Sequence, residues 1–182
     1  QARAMNVLLR AFQLTGDRVY GDLAVRALPS FYRDAREGGV RSMTPWGPFF
    51  EEYTAEVTTL VLNGMIFSLF GLWDLLRVFP DHSEARGCFE EGLMAVEGAL
   101  PSYDLGYWSR YNLCKASWYP SVDPATIQYQ RLHISQLLVL HRISGRQVFL
   151  DYSQRFQKQD TLLNAIRAYS VKFQSLRKLK RI

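Results

Sequence analysis

The sequence predicts an all-α fold of paired helices, stacked as a solenoid or as an α/α toroid whose ring is incomplete over this chain. Three observations carry that expectation. Apolar residues recur at helical spacing over most of the 182 positions. Short turns between adjacent helices fall near Gly16, Pro80 and Gly145, about 64 positions apart. Long irregular loops alternate with those turns, so helix, turn, helix, loop is repeated nearly three times. Helix pairs of this kind bury their apolar faces only by stacking on neighbours. In a toroid the first helix of each pair lines the inside and the long loops collect at one rim. Two and a half pairs do not close a ring, so further repeats are expected before Gln1.

Residues 1–14 read as a helix because Ala4, Val7, Leu8, Ala11 and Leu14 share one side. Thr15-Gly16-Asp17 stops it and caps a second helix over 18–36, which Pro29 kinks or splits. Gly38-Gly39 and Pro45-Trp46-Gly47-Pro48 mark a loop. A third helix is expected over 56–79 and, after Pro80-Asp81-His82-Ser83, a fourth to about position 100. Residues 101–128 crowd six tyrosines and tryptophans among prolines and glycine, a long aromatic loop of the sort that carries function. Helices resume over 131–143 and 146–158, and an amphipathic one runs from Leu162 toward Leu179.

The formal charge of +5 is uneven. Residues 1–160 carry sixteen basic against seventeen acidic side chains, and the last 22 positions carry six basic and no acidic ones. The body (1–160) is near neutral, while the tail (161–182) is basic and attracts polyanions, unless it is only a solvated helix face or a loose terminus. No nucleic-acid motif accompanies it, and none is expected as partner. Cys88 and Cys114 have no metal or redox spacing, and His82, His133 and His141 have no cysteine neighbours, so no metal is expected. The uncharged run 57–73 is interrupted by Thr58, Thr59, Asn63, Gly64, Ser68 and Gly71, which favours a buried helix over a membrane span. The chain starts without a signal peptide and inside a helix, as a piece of something longer does.

Chemistry is expected where acidic and aromatic residues sit at helix mouths: Phe50-Glu51-Glu52-Tyr53, Tyr111, and Tyr129 before His133-Ile134-Ser135-Gln136-Leu137. Read singly, each has an ordinary structural reading. Tyr111 and Tyr129 could be packed aromatics, Glu51 and Glu52 helix-dipole complements, His133 a hydrogen-bonded core residue, and Asn63-Gly64 an aid to helix packing.

Their order resembles the C-terminal domain of heparan sulfate D-glucuronyl C5-epimerases. The similarity starts at Gln1-Ala2-Arg3-Ala4-Met5 and continues through Glu51-Glu52-Tyr53, Val61-Leu62-Asn63-Gly64 and Leu100-Pro101-Ser102-Tyr103-Asp104. It ends with Tyr111-Asn112-Leu113, then Tyr129 eighteen positions later with His133-Ile134-Ser135-Gln136-Leu137. The resemblance implies an α/α-toroid enzyme that inverts C5 of glucuronate to iduronate within an acidic, heparosan-like polysaccharide, without a cofactor. It implies Glu52, Tyr111 and Tyr129 as catalytic groups and Tyr53 beside them. It leaves a homodimer open, and implies the Golgi lumen in an animal, or the periplasm or cell surface in a bacterium. The pattern breaks at Thr54 (proline in the family), Asn112 (aspartate) and Cys114 (arginine).

The chemistry agrees with those residue types. A proton α to a carboxylate is weakly acidic, and its loss leaves an enolate-like dianion. Inversion needs a base on one face of the ring and an acid on the other. Tyrosine is a poor base at its ordinary pKa near 10 but a competent donor. Asn63, Arg110, Lys115, Arg131, His133 and Gln136 are the candidates to stabilise the developing charge, and Trp46, Trp108 and Trp118 offer flat faces to sugars. Two rivals remain: a polysaccharide lyase making the same first abstraction, and a non-catalytic carbohydrate-binding module.

Overall fold

The computed structural model describes residues 1–53 and 55–180. Seven α-helices form three hairpins and a last single helix among them. Gly16, left-handed at φ 72°, ends α1 (Ala2–Thr15), and Asp17 caps α2 (Arg18–Arg26) by accepting from the Val19 N–H. Pro29 stops that helix early, and a 3-10 turn, Leu28–Phe31, replaces its second half. The second hairpin joins α3 (Leu62–Val78) to α4 (Ser83–Tyr103). The third joins α5 (Ile127–Ser144) to α6 (Gln147–Gln159) through Gly145 at φ 71°. Finally α7 (Leu162–Lys178) follows, capped by Thr161.

Each pair packs on itself, and α3 also packs on both α1 and α5 while α4 reaches α6. The first helices of the pairs therefore stand side by side. These contacts establish stacked helix pairs and an all-α fold. The run 57–73 lies largely within α3, the centre of the core, where Met65, Ile66, Leu69 and Leu72 have no exposed surface. Burying each such side chain stabilises the fold by about 1.5–3 kcal/mol before entropy is charged. Among the described residues no helix is long and apolar enough to cross a membrane.

Several expected boundaries move, each for a local reason. The loop expected near Pro45 holds a two-stranded hairpin, β1 (Arg41–Thr44) and β2 (Gly47–Phe50), with Arg41 opposite Phe50. Short strands with a proline in each neighbourhood give no alternating signal. Phe49 and Phe50 are fully buried, and β2 lies on α4. That contact needs Gly92, where an added Cβ would stand 2.6 Å from Leu69 and 3.0 Å from the Phe50 ring.

Helix α3 begins at Leu62, not at 56, because the N–H groups of Thr59 and Leu60 are taken by the Glu51 carboxylate and Leu60 adopts φ 52°. Helix α4 continues through Pro101, and the Tyr103 hydroxyl at its end donates to the Leu60 carbonyl. Helix α5 begins at Ile127, four residues early, because Thr126 caps it by accepting from the Tyr129 N–H. Beyond the main core, Ala165 and Ala168 of α7 form a small second core with Trp108 and Ala125, against which Tyr129 and Tyr107 pack.

Candidate active site

The hairpin delivers two adjacent carboxylates to different tasks. Glu51 is buried, and one oxygen accepts from the Thr59 N–H, the Thr59 hydroxyl at 2.8 Å and the Leu60 N–H. It anchors the entry to α3. Glu52 lies over the first turn of α3, where the Asn63 amide approaches its Oε2 at 3.5 Å. A Cβ on Gly64 would stand 2.7 Å from both the Glu52 Cβ and its Oε2. Gly64 is thus the floor on which Glu52 rests. Burial raises the Glu52 pKa above the ordinary carboxylate range, opposed by the Arg3 charge and the Asn63 hydrogen bond.

Tyr111 is held at both backbone ends. Its N–H donates to the Asp123 carbonyl at 2.8 Å, and its carbonyl accepts from the Leu62 N–H at 3.3 Å. Its ring contacts that of Tyr129, with centroids 4.9 Å apart and planes tilted by 57°. Burial, then the Tyr53 hydroxyl and the charge of Glu52, keep the Tyr111 phenol protonated well beyond the usual range. Four residues singled out in the sequence, Glu52, Tyr53, Tyr111 and Tyr129, therefore act on one another. Tyr53 is about half exposed, at 52%.

On α5 the residues four and seven positions after Tyr129 share its face. His133 and Gln136 occupy those positions, and both are buried. The Gln136 amide donates to the Asn63 carbonyl at 3.0 Å and so steadies the residue that reaches Glu52. His133, a candidate binding residue, lies in the core. It is fully enclosed, its Nδ1 stands 2.8 Å from the Ser109 hydroxyl, and burial pushes its pKa down to about 3. It is a neutral core imidazole.

Two cations expected at the site are committed elsewhere. Arg131 is on the opposite side of α5 from Tyr129, since two residues turn a helix by about 200°. It is exposed and pairs with Asp160 at 2.9 Å. Arg110 donates to the Ser121 carbonyl at 3.1 Å. Trp108 offers no face to a sugar: it is fully buried and donates to the Ala125 carbonyl. Trp46 packs on Gly98, whereas Trp118 is 61% exposed.

Other groups beside the cluster had no sequence signal. Arg3, exposed at the start of α1, sits 4.5 Å over the Phe67 ring and acts on Glu52 across a cavity of about 260 Å³. It falls within the opening Gln1–Met5 segment of the resemblance, yet nothing in a sequence links positions 3 and 52. Asp123 is buried and organises the tyrosine loop: its carboxylate accepts from the Tyr119 hydroxyl at 2.6 Å and from the Asn112 amide at 3.3 Å.

That contact explains one departure from the family pattern. Aspartate at 112 would set a second buried carboxylate against Asp123, whereas the amide donates to it. Cys114 is buried, and its N–H donates to the Asn112 side-chain oxygen at 3.1 Å. The third departure, Thr54, lies outside the described residues. Among the described residues no cluster of metal-ligating side chains occurs.

A cluster of this build can hold a carboxylate base, a neutral phenol donor and a second phenol around one small volume. The family model for the D-glucuronyl C5-epimerase C-terminus matches residues 1–158. A D-glucuronyl C5-epimerase of Caenorhabditis elegans is 29% identical over 167 residues, covering 86% of this chain and 27% of that protein. An uncharacterized protein of Methanocaldococcus jannaschii is 27% identical over 162 residues, covering 87% of this chain and 50% of that protein. The chain thus spans between about a quarter and a half of the length of these relatives.

Proposed function

We propose that this chain, which belongs to the D-glucuronyl C5-epimerase C-terminus family, inverts C5 of glucuronate to iduronate within an acidic, heparosan-like polysaccharide. The observation that supports this reading is the mutual contact of Tyr111 and Tyr129 beside Glu52 and Tyr53, residues drawn from three separate segments.

Glu52 is the proton acceptor. Its pKa, raised by burial, brings it closer to that of the weakly acidic C5–H than an exposed carboxylate's would be. The C5–H bond breaks, its electron pair forms a double bond to the carboxylate carbon while the C=O π pair moves onto oxygen to give the enolate-like dianion, and the proton goes to Glu52. The Arg3 guanidinium, the Asn63 amide and the N-terminal turn of α3 supply positive potential there. Tyr111, kept as the neutral phenol, gives its O–H proton to C5 from the other face as the enolate pair forms the new C5–H bond. The phenolate left behind is reprotonated, and Glu52 releases its proton to solvent.

Tyr129, the second phenol of the pair, sets the Tyr111 ring and carries the proton that restores the Tyr111 phenol. A sugar between two rings needs about two van der Waals contacts, roughly 7–8 Å. The 4.9 Å between centroids leaves no such room, so the uronate lies between Glu52 and Tyr111 while the two tyrosines stay in contact. The basic end of α7 favours the polyanion electrostatically.

The test is incubation of the full-length protein with a heparosan-type polymer in D2O. Deuterium at C5 together with iduronate is the expected result. An ultraviolet-absorbing unsaturated uronate would instead identify a lyase, and binding without exchange a carbohydrate-binding module.

A further inference from the structure

Helix α7 lies beyond the matched segment 1–158, and its basic residues have no catalytic part in the chemistry above. Even so, one face of it is bound to the tyrosine loop. Ala165 and Ala168 pack on Trp108 and Ala125. One turn on, the Lys172 ammonium lies 2.6 Å from the Asp123 carboxylate, with only 15% and 5% of the two side chains exposed. Next, the Ser175 hydroxyl donates to the Val122 carbonyl at 2.8 Å and Lys178 to the Tyr119 carbonyl at 2.9 Å. Residues 165, 168, 172 and 175 form a continuous helical stripe. Its contacts concentrate on the short segment whose Asp123 carbonyl holds the Tyr111 N–H. The Lys172 ammonium itself stands 5.4 Å from the Tyr111 ring centroid.

We propose that α7 is a working part of this active site and that Lys172 is a positioning residue, fixing Tyr111 against Tyr129 through Asp123. This role rests on the epimerase reading of Tyr111. A buried ion pair seldom adds net stability over well-packed apolar groups, because desolvation offsets the attraction. What it does enforce is geometry: Asp123 has one way to satisfy its lysine, Tyr119 and Asn112 together, and that arrangement fixes its carbonyl under Tyr111. Displacing a reacting group by about 1 Å can cost on the order of 100-fold in rate. Lys172 is thus tied to turnover more than to substrate affinity.

The test uses the full-length protein labelled with 3-fluorotyrosine, the Tyr111 and Tyr119 resonances being assigned from Tyr111→Phe and Tyr119→Phe. Lys172→Met is expected to shift both resonances, leave that of Tyr20 in place, and lower kcat for C5 exchange at least 10-fold with KM within 2-fold. Lys172→Arg is expected to restore both readouts. Lys180→Met, which removes a tail charge outside these contacts, is expected to leave kcat unchanged. Should Lys172→Met not fold, Lys172→Met/Asp123→Asn leaves neither charge stranded and is expected to give the same shift of Tyr111. Unmoved Tyr111 resonances in the methionine variant, or a wild-type kcat there, would overturn the proposal. If the wild type itself exchanges nothing, the epimerase reading fails, and the fluorine shifts alone still decide whether Lys172 places Tyr111.

Discussion

Glu52 occupies the space that a side chain at Gly64 would need: an added Cβ would fall 2.7 Å from its Oε2. The pair joins a hairpin end to a helix start and sets the height of the carboxylate above α3. A glycine inside a helix costs stability relative to alanine, about 0.5–1 kcal/mol, so its presence here marks a close approach. Gly64→Ala is therefore expected to destabilise the fold by about 1–3 kcal/mol through overpacking. It should also lower exchange activity by moving Glu52. Urea unfolding and the exchange assay check both effects; a variant with unchanged or raised stability would show that Glu52 does not rest there.

The pH dependence of turnover follows from Glu52. The proton acceptor must be ionised, so rate rises as pH passes upward through its pKa. Burial raises that pKa, and the acid limb of kcat/KM is expected above the ordinary carboxylate value of about 4.3. Glu52→Gln should remove turnover, and the limb with it. An acid limb at the ordinary value would assign the base elsewhere.

His133 predicts acid sensitivity of the fold. Its folded pKa of about 3 lies below the unfolded value near 6.5, so the unfolded chain binds more protons between them. Its share of stability is thus complete above pH 6.5 and is lost as pH falls toward 3, with a limiting slope of about 1.4 kcal/mol per pH unit. Urea midpoints of wild type and His133→Gln between pH 7 and 4.5 check this. The wild type should lose stability faster on acidification, and parallel curves would contradict a neutral buried imidazole.

Asn112→Asp tests why this chain departs from the family there. The new carboxylate would sit about where the Asn112 amide now meets Asp123 at 3.3 Å, raising the folded pKa of the pair. A raised carboxylate pKa favours folding at low pH and loses that advantage as pH rises. The variant should be less stable than wild type by about 2 kcal/mol at pH 7, with a smaller deficit at pH 5. An equal deficit at both values would rule out charge repulsion as the cause.

Much of this arrangement was legible in the sequence. Periodicity and turn residues mark the seven helices of the described residues, because Gly16, Pro80 and Gly145 act locally. Boundaries failed where distant groups decide them. Glu51 delays α3 by capturing the Thr59 and Leu60 N–H groups, and the fit of Phe50 over Gly92 supports a hairpin with little pattern of its own. At the site, Tyr129, His133 and Gln136 share a helix face as their spacing requires. Arg131 could have been excluded by the same spacing. His133 meets Ser109, 24 positions earlier in the chain, only through tertiary packing, which no local rule states. Arg3 and Lys172 reach the cluster only through tertiary packing.

The central claim is that these tyrosines and Glu52 move the C5 proton of a uronate. Its most direct measurement is deuterium incorporation at C5 by the full-length protein and by Tyr129→Phe, followed by nuclear magnetic resonance of the polymer. Wild type is expected to exchange C5 hydrogen, and Tyr129→Phe to do so at least about 100-fold more slowly, the range of a lost acid–base group. Exchange retained at the wild-type rate in Tyr129→Phe would contradict it.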